Sequence, residues 1–210
     1  MAGGELWLVR HGETAWSASG RHTGTTDIEL SDAGRRHAAA LRERLEDQSF
    51  ARVLTSPLQR ARVTCELAGF GDRAEIVTDL AEWDYGQDEG RTTTEIREER
   101  PGWTVWRQGP RGGESAAEVG RRADRVIALV RESPTRESPA RESPAIDPGP
   151  VLAFGHGHLC RVIGARWIGL DPADGIRLKL STAAICVLGH DRETPAIVRW
   201  NDTGHPDALA

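Results

Sequence analysis

The chain has 210 residues, with 38% apolar and 28% charged side chains, a length that predicts one domain over 1–210 with a core of its own. Acidic residues outnumber basic ones, 32 to 27, giving a net charge of −5, whereas a protein that tracks nucleic-acid phosphates carries a basic excess. No apolar run approaches the ~20 residues of a membrane span, and Met1–Arg10 lacks the basic n-region of a signal peptide.

Three cysteines, Cys65, Cys160 and Cys186, form an odd set with no close pair. That pattern argues against a disulfide framework and a cysteine zinc site, and it predicts a reducing, cytoplasmic setting. Cys65 and Cys160 lie in apolar helical surroundings and read as inert core residues.

In chain order, Glu5–Arg10 is a short apolar run that ends at His11-Gly12, a buried strand opening into a loop. Ser31 or Asp32 caps a helix over Ala33–Glu46 with Ala38, Leu41 and Leu45 on one stripe. Arg52–Thr55 is a second strand, and Ser56-Pro57 starts a helix that runs to Ala68 before Gly69. Glu75–Thr78 is a third strand, followed by helices over Thr92–Glu99 and Glu114–Arg131. Val151–Phe154 is a fourth strand, ending at Gly155-His156-Gly157-His158, with a helix over Leu159–Ile168. Arg177–Leu180, Ala184–Leu188 and Ala196–Trp200 read as further strands. Strands alternating with helices predict an α/β fold: a three-layer sandwich, a mostly parallel sheet with helices on both faces, the last strands adding an antiparallel edge. Residues 131–145 hold three copies of a five-residue unit, Arg-Glu-Ser-Pro followed by Thr or Ala, read as part of a solvated low-complexity loop over 131–149.

His11 and His156 each follow an apolar strand and precede a glycine. Ligands of open α/β sheets bind beyond the carboxyl ends of strands, so two such rings can meet in one crevice. Arg10 adjoins His11, and Arg60 lies early in the second helix, four residues after Ser56 on the same helix face, where the two make a phosphate-facing pair. Guanidinium forks near a helix N-terminus suit a phosphate. The His156/His158 pair has no third ligand at metal spacing, so no metal or other cofactor is expected. Trp7, Trp167 and Trp200 read as core, and Trp103 and Trp106 as packing or a cap over the crevice. His37, His190 and His205 are given no role.

The segment Leu8–Trp16 (LVRHGETAW) resembles the signature of the histidine phosphatase superfamily, which holds phosphoglycerate mutases and acid phosphatases. Ser56–Thr64 (SPLQRARVT), Leu80–Gly90 (LAEWDYGQDEG) and Gly155–Arg161 (GHGHLCR) resemble its second arginine, acid and second histidine motifs, in the family order. Details around Trp16–Gly24, Glu82–Tyr85 and His156–Arg161 are similar to a branch of small acid phosphatases and sedoheptulose-bisphosphatase-like enzymes. The resemblance implies a phosphoglycerate mutase-like fold and a metal-independent phosphomonoesterase. Its expected substrates are small phosphorylated metabolites, such as sugar or glycerate phosphates, and its product is inorganic phosphate. It implies that His11 is the nucleophile, that Arg10, Arg60 and a protonated His156 hold the phosphoryl oxygens, and that Glu82 is the proton donor. Ser56 would face the phosphate with Arg60. Ser17, His22, Thr23, Tyr85 and Arg161 would line the substrate pocket. Ser17 stands where many members carry asparagine. A mutase using the same residues and a non-catalytic phosphate-binding protein are the alternatives. The short polar stretch after Trp200 speaks against the mutase, and the presence of His11 and Glu82 against the binder.

Overall fold

The computed structural model describes residues 4–132 and 149–204, so the repeat at 131–145 lies almost wholly outside the described residues, as does His205. Strand β1 (Leu6–Arg10) leads into a short helix α1 (Ala15–Ala18) and then α2 (Asp32–Leu45). Next come β2 (Arg52–Thr55), α3 (Gln59–Leu67), β3 (Ala74–Ile76), α4 (Thr93–Glu99) and α5 (Ala116–Arg131). The chain closes with β4 (Val151–Gly155), α6 (Gly157–Trp167) and the hairpin β5 (Ile185–Asp191) and β6 (Thr194–Asp202).

The sheet runs β3-β2-β4-β1-β5-β6. The first four strands are parallel, while β5 is antiparallel to β1 and β6 to β5. The side-chain period of two divides each inner strand between two cores. Leu6 and Leu8 of β1, Val151 and Ala153 of β4, and Cys186 and Leu188 of β5 pack with α5 and α6. Val9, Leu152, Phe154, Ile185 and Val187 face α2 and α3 on the other side. This is an α/β fold with a mixed, mostly parallel six-stranded sheet between helical layers, as expected.

Local chemistry sets the helix starts. Ser31 caps α2 through its hydroxyl, which accepts from Gly34 N at 3.0 Å. Thr92 and Ser115 form capping boxes with Glu95 and Glu118 at α4 and α5. The expected start of α3 at Ser56-Pro57 is corrected: Ser56 closes a turn by accepting from Leu58 N at 3.2 Å, and the helix begins at Gln59. The Asp27 carboxylate from a separate loop takes the Gln59 N–H at 2.8 Å, so a tertiary contact supplies the cap. Arg177–Leu180 is not a strand. Pro172–Arg177 winds into a 3-10 helix capped by Asp171, and the hairpin starts only at Ile185. The third strand is shorter than expected, because the chain turns into a 3-10 helix at Thr78. Trp167 is buried, but Trp7 and Trp200 are half-buried, with their indole N–H groups bonded to Glu5 and to Lys179 O.

Because β1, β2 and β4 are parallel neighbours, their carboxyl ends reach one pole of the sheet and deliver His11, Ser56 and His156 there. Two cross-links fix this pole: His11 N donates to Gly155 O at 2.9 Å, and Ser56 N to Phe154 O at 3.0 Å. Glycine is required where the His11 loop meets α2: a Cβ on Gly12 would collide with Gly34 O, and one on Gly34 with Glu13 O.

Candidate active site

At that pole opens a cavity of ≈ 240 Å³, lined by Arg10, His11, Ser17, His22, Thr23, Glu82, Tyr85, His158 and Arg161 among others. Eight of the eleven residues singled out from the sequence therefore face one space. The other three are fully buried behind the lining: Arg60 bonds to Thr23 O, the His156 ring packs near that of His11, and Ser56 reaches His156.

His11 donates Nδ1–H to the carbonyl of Gly12 at 2.6 Å. A carbonyl only accepts, so this bond fixes the tautomer and leaves Nε2 with its lone pair. Burial, then Arg10 and Arg60, push the ring well below the usual histidine range, so it is neutral at ordinary pH. Thr64 steadies the turn by accepting from Gly12 N at 3.0 Å while donating to Arg60 O at 2.7 Å.

The two guanidiniums are held differently. Arg10 donates Nη1–H to Leu180 O at 2.6 Å, but its buried Nε has no partner among the described residues. Arg60 reaches the carbonyls of Thr26, Thr23 and Gly24 at 3.0, 3.1 and 2.9 Å and the Nδ1 of His156 at 3.2 Å. Burial lowers both arginines from their usual range, Glu82 opposing it in each case. Such groups stay charged.

His156 corrects one expectation: it is neutral, not protonated. Burial, then Arg60, His11 and Arg10, hold it well below the ordinary histidine range. Since Nδ1 accepts from Arg60, Nε2 carries the hydrogen and donates to Ser56 Oγ at 2.7 Å. Ser56 and Arg60 thus meet on His156 without sharing a helix face. The ring lies 5.2 Å from that of His11.

Glu82 is 8% exposed. Its Oε1 accepts from Trp83 N and Leu159 N at 3.0 and 2.9 Å, and its Oε2 from His158 N at 3.0 Å, so the carboxyl group sits on the N-terminus of α6. Asp84, Asp88 and Glu89, the competing carboxylates of this stretch, are engaged elsewhere. Asp84 accepts from Gly86 N, Asp88 pairs with Arg100, and Glu89 binds the amides of Gly24, Thr25 and Thr26.

The side wall is aromatic, its rings neutral, with the Arg161 guanidinium beside them. Tyr85 hydroxyl meets His158 Nδ1 at 2.6 Å, and burial keeps the phenol well above its usual range. His158 is lowered well below the ordinary value, first by burial and then by Arg161. His22 is lowered to about 4 by burial, against Asp88. Trp103 and Trp106 are buried behind these rings, and Arg161 stacks on Trp106 at 4.5 Å, so both tryptophans pack the wall from within. Thr23 donates to Arg21 O at 3.2 Å. The Ser17 hydroxyl is spent on a capping box with Thr14 at the start of α1.

Sequence reading passed over His158, Arg21 and Thr93 as lining residues. The His-Gly-His repeat signalled the first, and nothing local signals the others. The rings of His156 and His158 are committed to different partners, and no group of three or more potential metal ligands occurs among the described residues. No helix among them is long and apolar enough to cross a membrane.

A parallel-strand pole holding a tautomer-locked imidazole beside buried guanidiniums is suited to phosphoryl chemistry, and the chain belongs to the histidine phosphatase superfamily (branch 1), matched over residues 6–203. Within it, this is an acid phosphatase-like enzyme that releases phosphate from phosphorylated substrates. It is 40% identical over 207 residues to an acid phosphatase of Mycobacterium tuberculosis, covering 98% of this chain and 96% of that protein. It is 35% identical to the sedoheptulose 1,7-bisphosphatase of Saccharomyces cerevisiae, over 94% and 79% of the two chains. A solved structure of a Mycobacterium tuberculosis open reading frame matches with a TM-score of 0.85 at 39% identity, over 96% of this chain and 99% of that one.

Proposed function

We propose that this enzyme is a metal-independent phosphomonoesterase that hydrolyses small phosphorylated metabolites, sugar or glycerate phosphates, through a phosphohistidine at His11. The observation that carries this reading is the His11 ring: neutral, locked by Gly12 O, and lining the cavity beside Arg10. A cavity of ≈ 240 Å³ suits a small ester.

In the first step His11 Nε2 bonds to phosphorus as the ester P–O bond breaks, and Glu82 gives its proton to the departing alkoxide. In the second, Glu82 takes a proton from water, whose oxygen bonds to phosphorus as the N–P bond breaks. Phosphoryl transfer depends on alignment and charge neutralisation, supplied here by Arg10 and Arg60, while neutral His156, its Nε2–H held by Ser56 Oγ, orients Arg60 by accepting from its Nε. His22, Thr23, Tyr85 and Arg161 contact the remainder of the substrate, and Ser17, its hydroxyl held by Thr14, forms part of the wall beside them. The three free, buried cysteines accord with a reducing compartment, and the cytoplasm is the proposed location.

A panel of phosphorylated sugars, glycerates and nucleotides, assayed for phosphate release with and without EDTA, tests the reading. Turnover of sugar or glycerate phosphates, unchanged by the chelator, is the expected result. Faster interconversion of phosphoglycerates than phosphate release contradicts hydrolysis as the main activity. Inhibition by EDTA that zinc reverses contradicts the metal-independent step.

A further inference from the structure

Glu82 stands on a stretch without regular sheet pairing, between the 3-10 helix Thr78–Leu80 and the one at Gly86–Asp88. One side chain from α5 grips this stretch from behind. Arg122 donates Nη1–H to Asp79 O and Ala81 O at 2.9 and 2.8 Å, and Nη2–H to Glu82 O at 3.3 Å. Its other edge forms a two-pronged pair with Glu114, Nε to Oε1 at 2.8 Å and Nη2 to Oε2 at 2.7 Å. Glu114 continues the grip: its Oε2 accepts from Asp84 N at 3.0 Å and its carbonyl from Trp83 Nε1 at 2.7 Å. Every residue from Ala81 to Asp84 is thereby tied to this ion pair. Arg122 has only 13% of its side chain exposed and is not among the cavity-lining residues.

We infer that Arg122 and Glu114 are positioning residues for Glu82, holding its carboxyl group at the departing oxygen of the ester. This rests on the reading of Glu82 as the group that transfers the proton. Its physical basis is the reach of a planar fork: five N–H donors in one plane meet three carbonyls and a carboxylate at once, which an ammonium group cannot do. Misplacement of a reacting group by about 1 Å can cost on the order of 10²-fold in rate. The cost must fall on the step in which the proton moves, as the P–O bond breaks and the oxygen leaves as an alcohol.

Leaving-group dependence separates positioning from general loss of structure. p-Nitrophenolate departs without a proton, whereas the alkoxide of glycerol 2-phosphate needs one. The experiment compares kcat/KM, which reports on steps through the first P–O cleavage, for these two esters in wild type, Arg122→Lys, Glu114→Gln and Glu82→Gln. Folding is checked by circular dichroism. Arg122→Lys is expected to lower kcat/KM for glycerol 2-phosphate by about 10- to 100-fold, a part of the roughly 10²–10⁴ that a positioned acid contributes, with p-nitrophenyl phosphate little changed. Glu114→Gln, which keeps the shape and loses the charge, is expected to follow in the same direction. Glu82→Gln is expected to show the largest preference for the aryl ester. A selective loss in either Arg122→Lys or Glu114→Gln supports the inference. Equal losses on both esters, or none, while Glu82→Gln is selective, overturn it and leave the role of Glu82 standing. If Glu82→Gln is itself not selective, the reading of Glu82 fails and the inference with it.

Discussion

His11→Ala is expected to abolish phosphate release while leaving the fold intact. Under the proposed mechanism the substitution removes the ring nitrogen that Gly12 O leaves with its lone pair free beside Arg10, and with it the group that attacks phosphorus. Removing a nucleophile from a site that works as a unit costs far more than removing a contact, and a fall of about 10⁴-fold or more in kcat is expected. Stability changes little in comparison. The ring makes one hydrogen bond through Nδ1, and the turn that carries it is held by Thr64 and by the His11 backbone bond to Gly155 O, neither of which needs the side chain. Steady-state phosphate release and thermal unfolding of the variant check both halves. Turnover within tenfold of wild type in a folded variant contradicts covalent catalysis at this residue.

The second large effect is on stability in acid. His11, His22, His156 and His158 are held neutral by burial, each well below the ordinary value of 6.5 or, for His22, at about 4. In the unfolded chain these rings charge near their ordinary value, so below it the unfolded state binds more protons than the folded one. Stability is then complete above about pH 6.5 and is lost as the pH falls toward the folded values. For His22 the shift from 6.5 to about 4 corresponds to roughly 3 kcal/mol lost between pH 7 and pH 4. Against a typical total of about 5–15 kcal/mol, that one ring is a large share. Urea denaturation at pH 7, 5.5 and 4.5 is expected to give a steadily falling midpoint, and His22→Gln a shallower fall. A midpoint that holds steady or rises on acidification contradicts neutral burial of these rings.

The same burial explains what was legible in the sequence. Strand ends and glycines announced His11 and His156 because buried strands and close approaches are written locally, in apolar runs followed by His-Gly. The layers followed from helix stripes such as Val119, Ala123, Val126 and Val130, all buried on α5. The charge state of His156 was not legible. It depends on Arg60 arriving from another strand end and on complete burial, which no local pattern encodes. The start of α3 was misread for a similar reason, since its cap comes from Asp27, 32 residues away in sequence. Arg122 gave no signal, because an arginine on an amphipathic helix looks like any solvated face until the carbonyls of Asp79, Ala81 and Glu82 are seen around it.

The enzyme's chemistry comes down to whether phosphorus is carried on an imidazole between the two half-reactions. Rapid acid-free quenching of the wild type with ³²P-labelled substrate, followed by peptide mapping, reads this directly. The expected result is an acid-labile, base-stable label on the peptide containing His11, formed within the time of one turnover and absent from His11→Ala. Full turnover with no labelled enzyme at any time, or with the label on a different residue, contradicts the account.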